Sequence, residues 1–121
     1  MNPETKIEQD AVDLIWEHLG IKGSKLKILG ENAFPDRIFW LPGGQPFLIE
    51  FKVPGENARP LQVHNHDELR RLGYHVEVHD NAIDAFEAVI TKLEATQLPK
   101  ASHQVLARAR RQCTLFRSRT R

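Results

Sequence analysis

The chain has 121 residues, 40% of them hydrophobic and 27% charged, and a formal net charge of +1. That composition describes one globular domain with a single modest core. No run approaches the ~18 apolar residues of a membrane span, residues 1–10 lack the apolar centre of a signal peptide, and Cys113 has no second cysteine to pair with. These exclusions predict a cytoplasmic protein in a reducing compartment with no membrane association.

Charge is distributed unevenly. Residues 1–99 hold ten Lys and Arg against sixteen Asp and Glu, a balance of −6, whereas residues 100–121 hold seven basic side chains and no acid. An acidic body followed by a basic tail suggests a polyanionic partner, with a solvated, partly disordered end as the alternative.

In chain order, Asn2 and Pro3 supply a capping side chain and a proline at the first helical position. Thr5 and Glu8 have capping-box spacing, so a start one turn later also fits. Ile7, Ala11, Leu14, Ile15 and Leu19 recur at helical spacing until Gly20. Glu8 lies at the edge of that apolar face, where it is either an ordinary helix-start carboxylate or leans over the sheet. Residues 25–29 alternate polar and apolar and predict a half-exposed strand. A second strand is expected over 37–41, and Pro42-Gly43-Gly44-Gln45-Pro46 is a dense turn signal.

The next strand, 47–53, is the unusual one. Five of its seven residues are apolar, yet Glu50 and Lys52 lie within it. Residues two apart share a strand face, so the acid and the ammonium point the same way. Burial of two charges costs several kcal/mol per ion unless they are paired or bound. A structural salt bridge is one answer and a functional site is the other. A turn centred near Gly44 places Asp36 opposite Lys52 and Ile38 opposite Glu50, bringing Asp36, Glu50 and Lys52 to one face. Phe39, Leu41, Ile49, Phe51 and Val53 then line the other face as core.

A helix over 60–72 is expected to turn Leu61, Leu69 and Leu72 inward. Residues 74–79 alternate as a fourth strand, which a right-handed crossover places parallel to the third. A last helix begins near Asp80 with Ile83, Phe86, Val89, Ile90 and Leu93 inward, and Leu98-Pro99 breaks the chain before the tail. The predicted fold is α/β: a small mixed sheet flanked by helices in the order αβββαβα, with a body over 1–99 and a basic tail over 100–121. His64 and His66 diverge by about 200° on a helix, and His75 and His79 stand ~13 Å apart along a strand. Neither pair suggests zinc, and surface positions are expected for all four.

Pro35-Asp36 followed by Glu50-Phe51-Lys52 spells PD…ExK. With this element order it resembles the PD-(D/E)XK, restriction-endonuclease-like superfamily. Phe34-Pro35-Asp36-Arg37, Ile49 to Gly55, Arg59-Pro60-Leu61-Gln62 and Leu69 to Tyr74 narrow the likeness. Over residues 5–80 the chain resembles the virus-type replication-repair nuclease (VRR-NUC) domain.

The resemblance implies a nuclease using Mg2+ or Mn2+, a hard cation that takes oxygen ligands and needs few of them from protein. Asp36, Glu50 and the backbone carbonyl of Phe51 would ligate it, with Glu8 acting through a water. Lys52 would stabilise charge in the transition state, and Gln62 has both donor and acceptor atoms to fix the water or Lys52. Arg37 points to the opposite face and takes no role. The resemblance further implies a homodimer that cuts branched DNA such as four-way junctions, and host-cell cytoplasm for a viral protein. Arg108, Arg110, Arg111 and Arg117 are the expected phosphate contacts. The competing readings are a non-catalytic nucleic-acid-binding module on the same fold and a nuclease without structure selectivity.

Overall fold

A computed structural model describes residues 1–119; Arg121, counted with the basic tail, lies outside the described residues. The first helix, α1 (Pro3–Leu19), is followed by β1 (Gly23–Lys25), β2 (Arg37–Leu41) and β3 (Gln45–Phe51). Then come α2 (Pro60–Arg71), β4 (His75–His79), α3 (Ala82–Glu94) and α4 (Lys100–Arg119). The sheet order is β1-β2-β3-β4. Its first two pairings are antiparallel and the last is parallel across the α2 crossover, as expected for a strand–helix–strand unit.

Local chemistry sets the boundaries. The Asn2 side chain accepts a hydrogen bond from the Thr5 amide at 2.7 Å, so α1 starts at the earlier of the two candidate positions. It stops at Gly20, which adopts the left-handed conformation (φ 67°) that lets its amide close back on the Trp16 carbonyl. The Asn81 side chain caps α3 by accepting from the Asp84 amide at 2.8 Å.

The main core lies between one face of the sheet and α1, α3 and α4. Phe39, Phe47, Ile49 and Phe51 from the strands meet Ala11 and Ile15 of α1 and Phe86, Val89 and Ile90 of α3. The opposite sheet face is covered by α2. Because β3 is enclosed on both sides, Phe47, Leu48, Ile49, Glu50 and Phe51 are all buried.

Four expectations change. The hairpin pairs Arg37 with Ile49 and Ile38 with Leu48, two positions from the predicted partners. A two-residue shift preserves which face each side chain takes, so the expected grouping survives. The strand over 25–29 is instead Gly23–Lys25: β2 begins only at Arg37, and Pro35 has no amide to extend the ladder. The helix α2 buries Gln62 and His66 and exposes Leu61 and Leu72, the reverse of the apolar-inward expectation. Finally, the segment read as a basic tail forms α4, which adds an eighth element to the predicted order. Its Leu106, Ala109 and Cys113 join the core, and Phe116 packs against it.

Candidate active site

The ends of three elements converge where the hairpin opens, away from its turn. Asp36 lies just before β2, Glu50 near the end of β3, and Lys52 directly after β3. Continuing the antiparallel ladder would set Pro35 against Phe51. The Asp36 carboxylate takes that place, accepting from the Phe51 amide at 2.8 Å, which holds the side chain at the strand edge. From above, the first turn of α1 contributes Glu4. One carboxylate oxygen each from Glu4, Asp36 and Glu50 lies within 4.8 Å of the others.

Glu50 is 2% exposed and Lys52 7%. Glu50 Oε2 accepts from Gln62 Nε2 at 3.2 Å and lies 3.7 Å from Lys52 Nζ. Gln62 is itself fixed, because its Oε1 accepts from the Arg59 amide at the start of α2 at 2.9 Å. Glu50 Oε1 is buried and accepts no N–H or O–H from another residue, and the Glu50 and Asp36 carboxyls lie close enough to share a proton when one of them is neutral. A buried carboxylate oxygen without such a donor is costly.

Electrostatics reinforces the point. Burial, and then the neighbouring Asp36 charge, pushes Glu50 up to about 8. Asp36 is also raised, mainly by burial and against the pull of the Phe51 amide. Glu4 is raised by burial first, with Lys52 opposing. Three acids crowded into one partly enclosed volume thus resist ionising together. A divalent cation with oxygen preference fits this donor set: it would neutralise the cluster and satisfy Glu50 Oε1.

Of the predicted residues, Asp36, Glu50, Lys52 and Gln62 are brought together. Glu8 is committed elsewhere. Its Oε2 accepts from Arg37 Nε at 3.1 Å, and the Lys25 ammonium lies 3.5 Å away. Arg37 also donates to the Gly23 carbonyl at 3.1 Å, so Glu8 and Arg37 tie α1 to the sheet edge. The acid that α1 presents to the cluster is Glu4, one turn earlier on the same helix face. Arg37 could have revealed this, since a guanidinium on the core face of a strand requires a buried acid.

His64 is exposed as expected, but the other histidines depart from a plain surface position. His66, one turn beyond Gln62, is buried behind the site with Nε2 lacking a partner. Burial, and then Arg70, lowers its pKa. His75 and His79 flank Glu77, whose carboxylate receives one imidazole on each oxygen. Hydrogen bonding from His79 leads in pulling Glu77 down to about 2.

The four α4 arginines expected to contact phosphate divide into two pairs. Arg110 binds Glu87 at 3.0 Å and Glu94 at 2.6 Å, and Arg117 binds Asp84 and Glu87, each at 2.7 Å. Both are held by acids of α3 and are poorly placed to grip phosphate. Arg108 and Arg111 are exposed.

A four-stranded mixed sheet with a carboxylate cluster and a lysine at the open end of its hairpin defines a PD-(D/E)XK-like fold. A solved structure described as a VRR_NUC domain superimposes with a TM-score of 0.66 at 24% identity, covering 74% of this chain and 96% of that one. No family model matches the sequence. The sequence is 35% identical over 79 residues to "Putative nuclease p44" of Acyrthosiphon pisum secondary endosymbiont phage 1, spanning 62% of this chain and 85% of the phage protein. The chain belongs to the family of that phage protein, and it has the fold of the VRR_NUC domain structure.

Proposed function

We propose that this protein is a metal-dependent DNA endonuclease. The observation that carries the reading is a crowded three-acid cluster beside a buried lysine, in which the buried Glu50 Oε1 accepts no N–H or O–H from another residue. Glu4, Asp36 and Glu50 would hold Mg2+ or Mn2+, and the backbone carbonyl of Phe51 is the further ligand implied by family resemblance. When bound, such an ion supplies Lewis-acid stabilisation of phosphate charge and lowers the pKa of a water.

The chain's own groups do the rest. Lys52 sets a compact positive charge against the negative charge that grows on the phosphate during hydrolysis. Gln62 spans Arg59 and Glu50, fixing the orientation of the carboxylate. Asp36 is aimed by the Phe51 amide. Glu8 supports the site indirectly by holding Arg37 and with it the start of β2.

As substrate we propose branched DNA such as a four-way junction, cut by a homodimer. A two-fold dimer presents two such sites to the two opposed strands of a symmetric junction. Arg108 and Arg111 are the α4 side chains we assign to phosphate contact. The test is cleavage of end-labelled four-way junction, flap and duplex with Mg2+, Mn2+ or EDTA, alongside light-scattering mass in solution. Metal-dependent cutting that favours the junction, by a species of twice the chain mass, is expected. Cutting that survives EDTA overturns the mechanism, and equal cutting of all three by a monomer overturns the substrate and assembly.

A further inference from the structure

We infer that Leu29 is a wedge that enters the base stack of bound DNA beside the cleaved bond. This rests on the nuclease reading above. Residues 26–35 form a loop closed at its base, where the Leu26 amide donates to the carbonyl of Asp36 at 3.0 Å. The loop thus springs from one of the metal-binding acids. Its far limb is pinned to α2 by Asn65 Nδ2, which donates to the Asn32 and Ala33 carbonyls at 3.2 and 3.3 Å. Ala33 adopts φ 68°, a left-handed conformation that a non-glycine residue keeps only where its surroundings impose it.

At the tip, the Glu31 amide donates to the Ile28 carbonyl at 3.1 Å, closing a turn around Leu29 and Gly30. Gly30 has φ 79°, the conformation a type II turn demands at its third position. That turn projects Leu29 outward, with a relative exposure of 101%, as open as in an extended peptide. Other large exposed side chains, such as Met1 at 85%, Trp16 at 61% and Leu72 at 60%, keep part of their area covered. Among the exposed large hydrophobics of the described residues, Leu29 alone has no cover at all, on a loop tethered at its base, its tip and its far limb. A fully wet leucine gains nothing for the fold.

Charge and reach identify the occupant. Lys27 is exposed on the near limb, Lys25 at its base is exposed but lies 3.5 Å from the Glu8 carboxylate, and Glu31 is the one acid in the loop. Leu29 lies three residue steps along the chain from Leu26, whose amide closes the loop on Asp36, a span of at most about 11 Å. That corresponds to roughly three base steps at 3.4 Å each. A leucine at the tip of a loop that carries the exposed Lys27 ammonium matches the apolar side chains that unstack base steps and kink a duplex. Such a wedge favours substrates whose stacking is already interrupted, so the same residue supplies preference for branched DNA.

The test places 2-aminopurine at successive positions within four steps of the cleaved bond and records its fluorescence on binding in Ca2+. Wild type, Leu29→Ala and Leu29→Met are compared, with Mn2+-induced thermal shift confirming an intact fold and metal cluster in each. A fluorescence rise at one or two positions is expected for wild type and Leu29→Met. Leu29→Ala should lose the rise, bind the junction about tenfold more weakly, and cut junction and duplex at more nearly equal rates. An unchanged signal in Leu29→Ala while wild type still cuts DNA overturns the wedge and leaves the nuclease reading standing. A dimer mass lost in Leu29→Ala reassigns the tip to contact between copies. Absence of cleavage by wild type removes both.

Discussion

At Lys52 a single distance carries two meanings. Its ammonium lies 3.7 Å from Glu50 Oε2, the geometry of a loose buried ion pair. Yet burial and Asp36 push Glu50 up to about 8, so without a cation the partner is largely neutral near pH 7. The contact then contributes little to the fold. Lys52→Met should leave the melting temperature within a few degrees of wild type while lowering cleavage by about 10²–10³-fold. A structural salt bridge predicts the opposite, since breaking a buried pair costs about 3–5 kcal/mol. Melting and rate measured on the same preparation separate the two.

Glu4 and Glu8 offer a sharper contrast, because they sit one turn apart on the same helix. Glu4→Ala should weaken Mn2+ binding, read by calorimetry, by at least about tenfold with little loss of stability. Glu8→Ala should cost about 3 kcal/mol, because it leaves the partly buried Arg37 guanidinium without its acid, and should spare metal affinity by comparison. A reversed pattern would return Glu8 to the metal and make Glu4 a bystander.

Among the elements, α4 changes most between sequence and structure. Its arginines dominate the composition of residues 100–121, but Leu106, Ala109, Cys113 and Phe116 fall at helical spacing beneath them and meet α1 and α3. Deleting residues 100–121 should therefore destabilise the protein by at least about 3 kcal/mol from lost apolar burial alone. Arg110→Ala should also destabilise, through Glu87 and Glu94, whereas Arg108→Ala with Arg111→Ala should leave melting unchanged and lower the salt slope of DNA binding by up to about 2. An unaltered melting curve after the deletion would mean that α4 does not belong to the core.

The elements also show where sequence patterns are decisive. The faces of β2 and β3 were readable because face depends only on parity, which a two-residue shift in register leaves intact. Alternation over 25–29 misleads because it says nothing of whether a partner strand is there to pair with. The inversion of α2 was hidden for a different reason. Its inward face carries Gln62 and His66 because it roofs a polar cluster, so the hydrophobic pattern pointed the wrong way where function overrides packing. Glu4 escaped notice because helical spacing gives Glu4 and Glu8 the same direction, and only the packing of α1 on the sheet decides which one meets Asp36.

For the molecule as a whole, the acid cluster couples stability, pH and metal. Glu50 loses its proton near 4.5 when unfolded but near 8 when folded. Between those values the folded state binds more protons, so stability falls as pH rises, on the order of a few kcal/mol across the window. Asp36 and Glu4, also raised, act with the same sign. His66 acts with the opposite sign below its ordinary 6.5, because burial favours its neutral form. Glu77, held near 2, matters only in acid. The interval from pH 6.5 to 8 is therefore the one in which the cluster can be read. In EDTA the melting temperature should fall across it, and Glu50→Gln, which cannot ionise, should melt higher than wild type at pH 8 with a shallower slope. Added Mn2+ should reverse the trend, because the acids must release protons to bind it, so its stabilisation grows with pH. At a hundredfold excess over Kd the gain is about 2.7 kcal/mol, or roughly 10 °C for a domain of this size. A melting temperature that rises with pH in EDTA, or a Glu50→Gln protein with the wild-type slope, would show that these three carboxylates do not share the crowded volume on which the metal assignment depends.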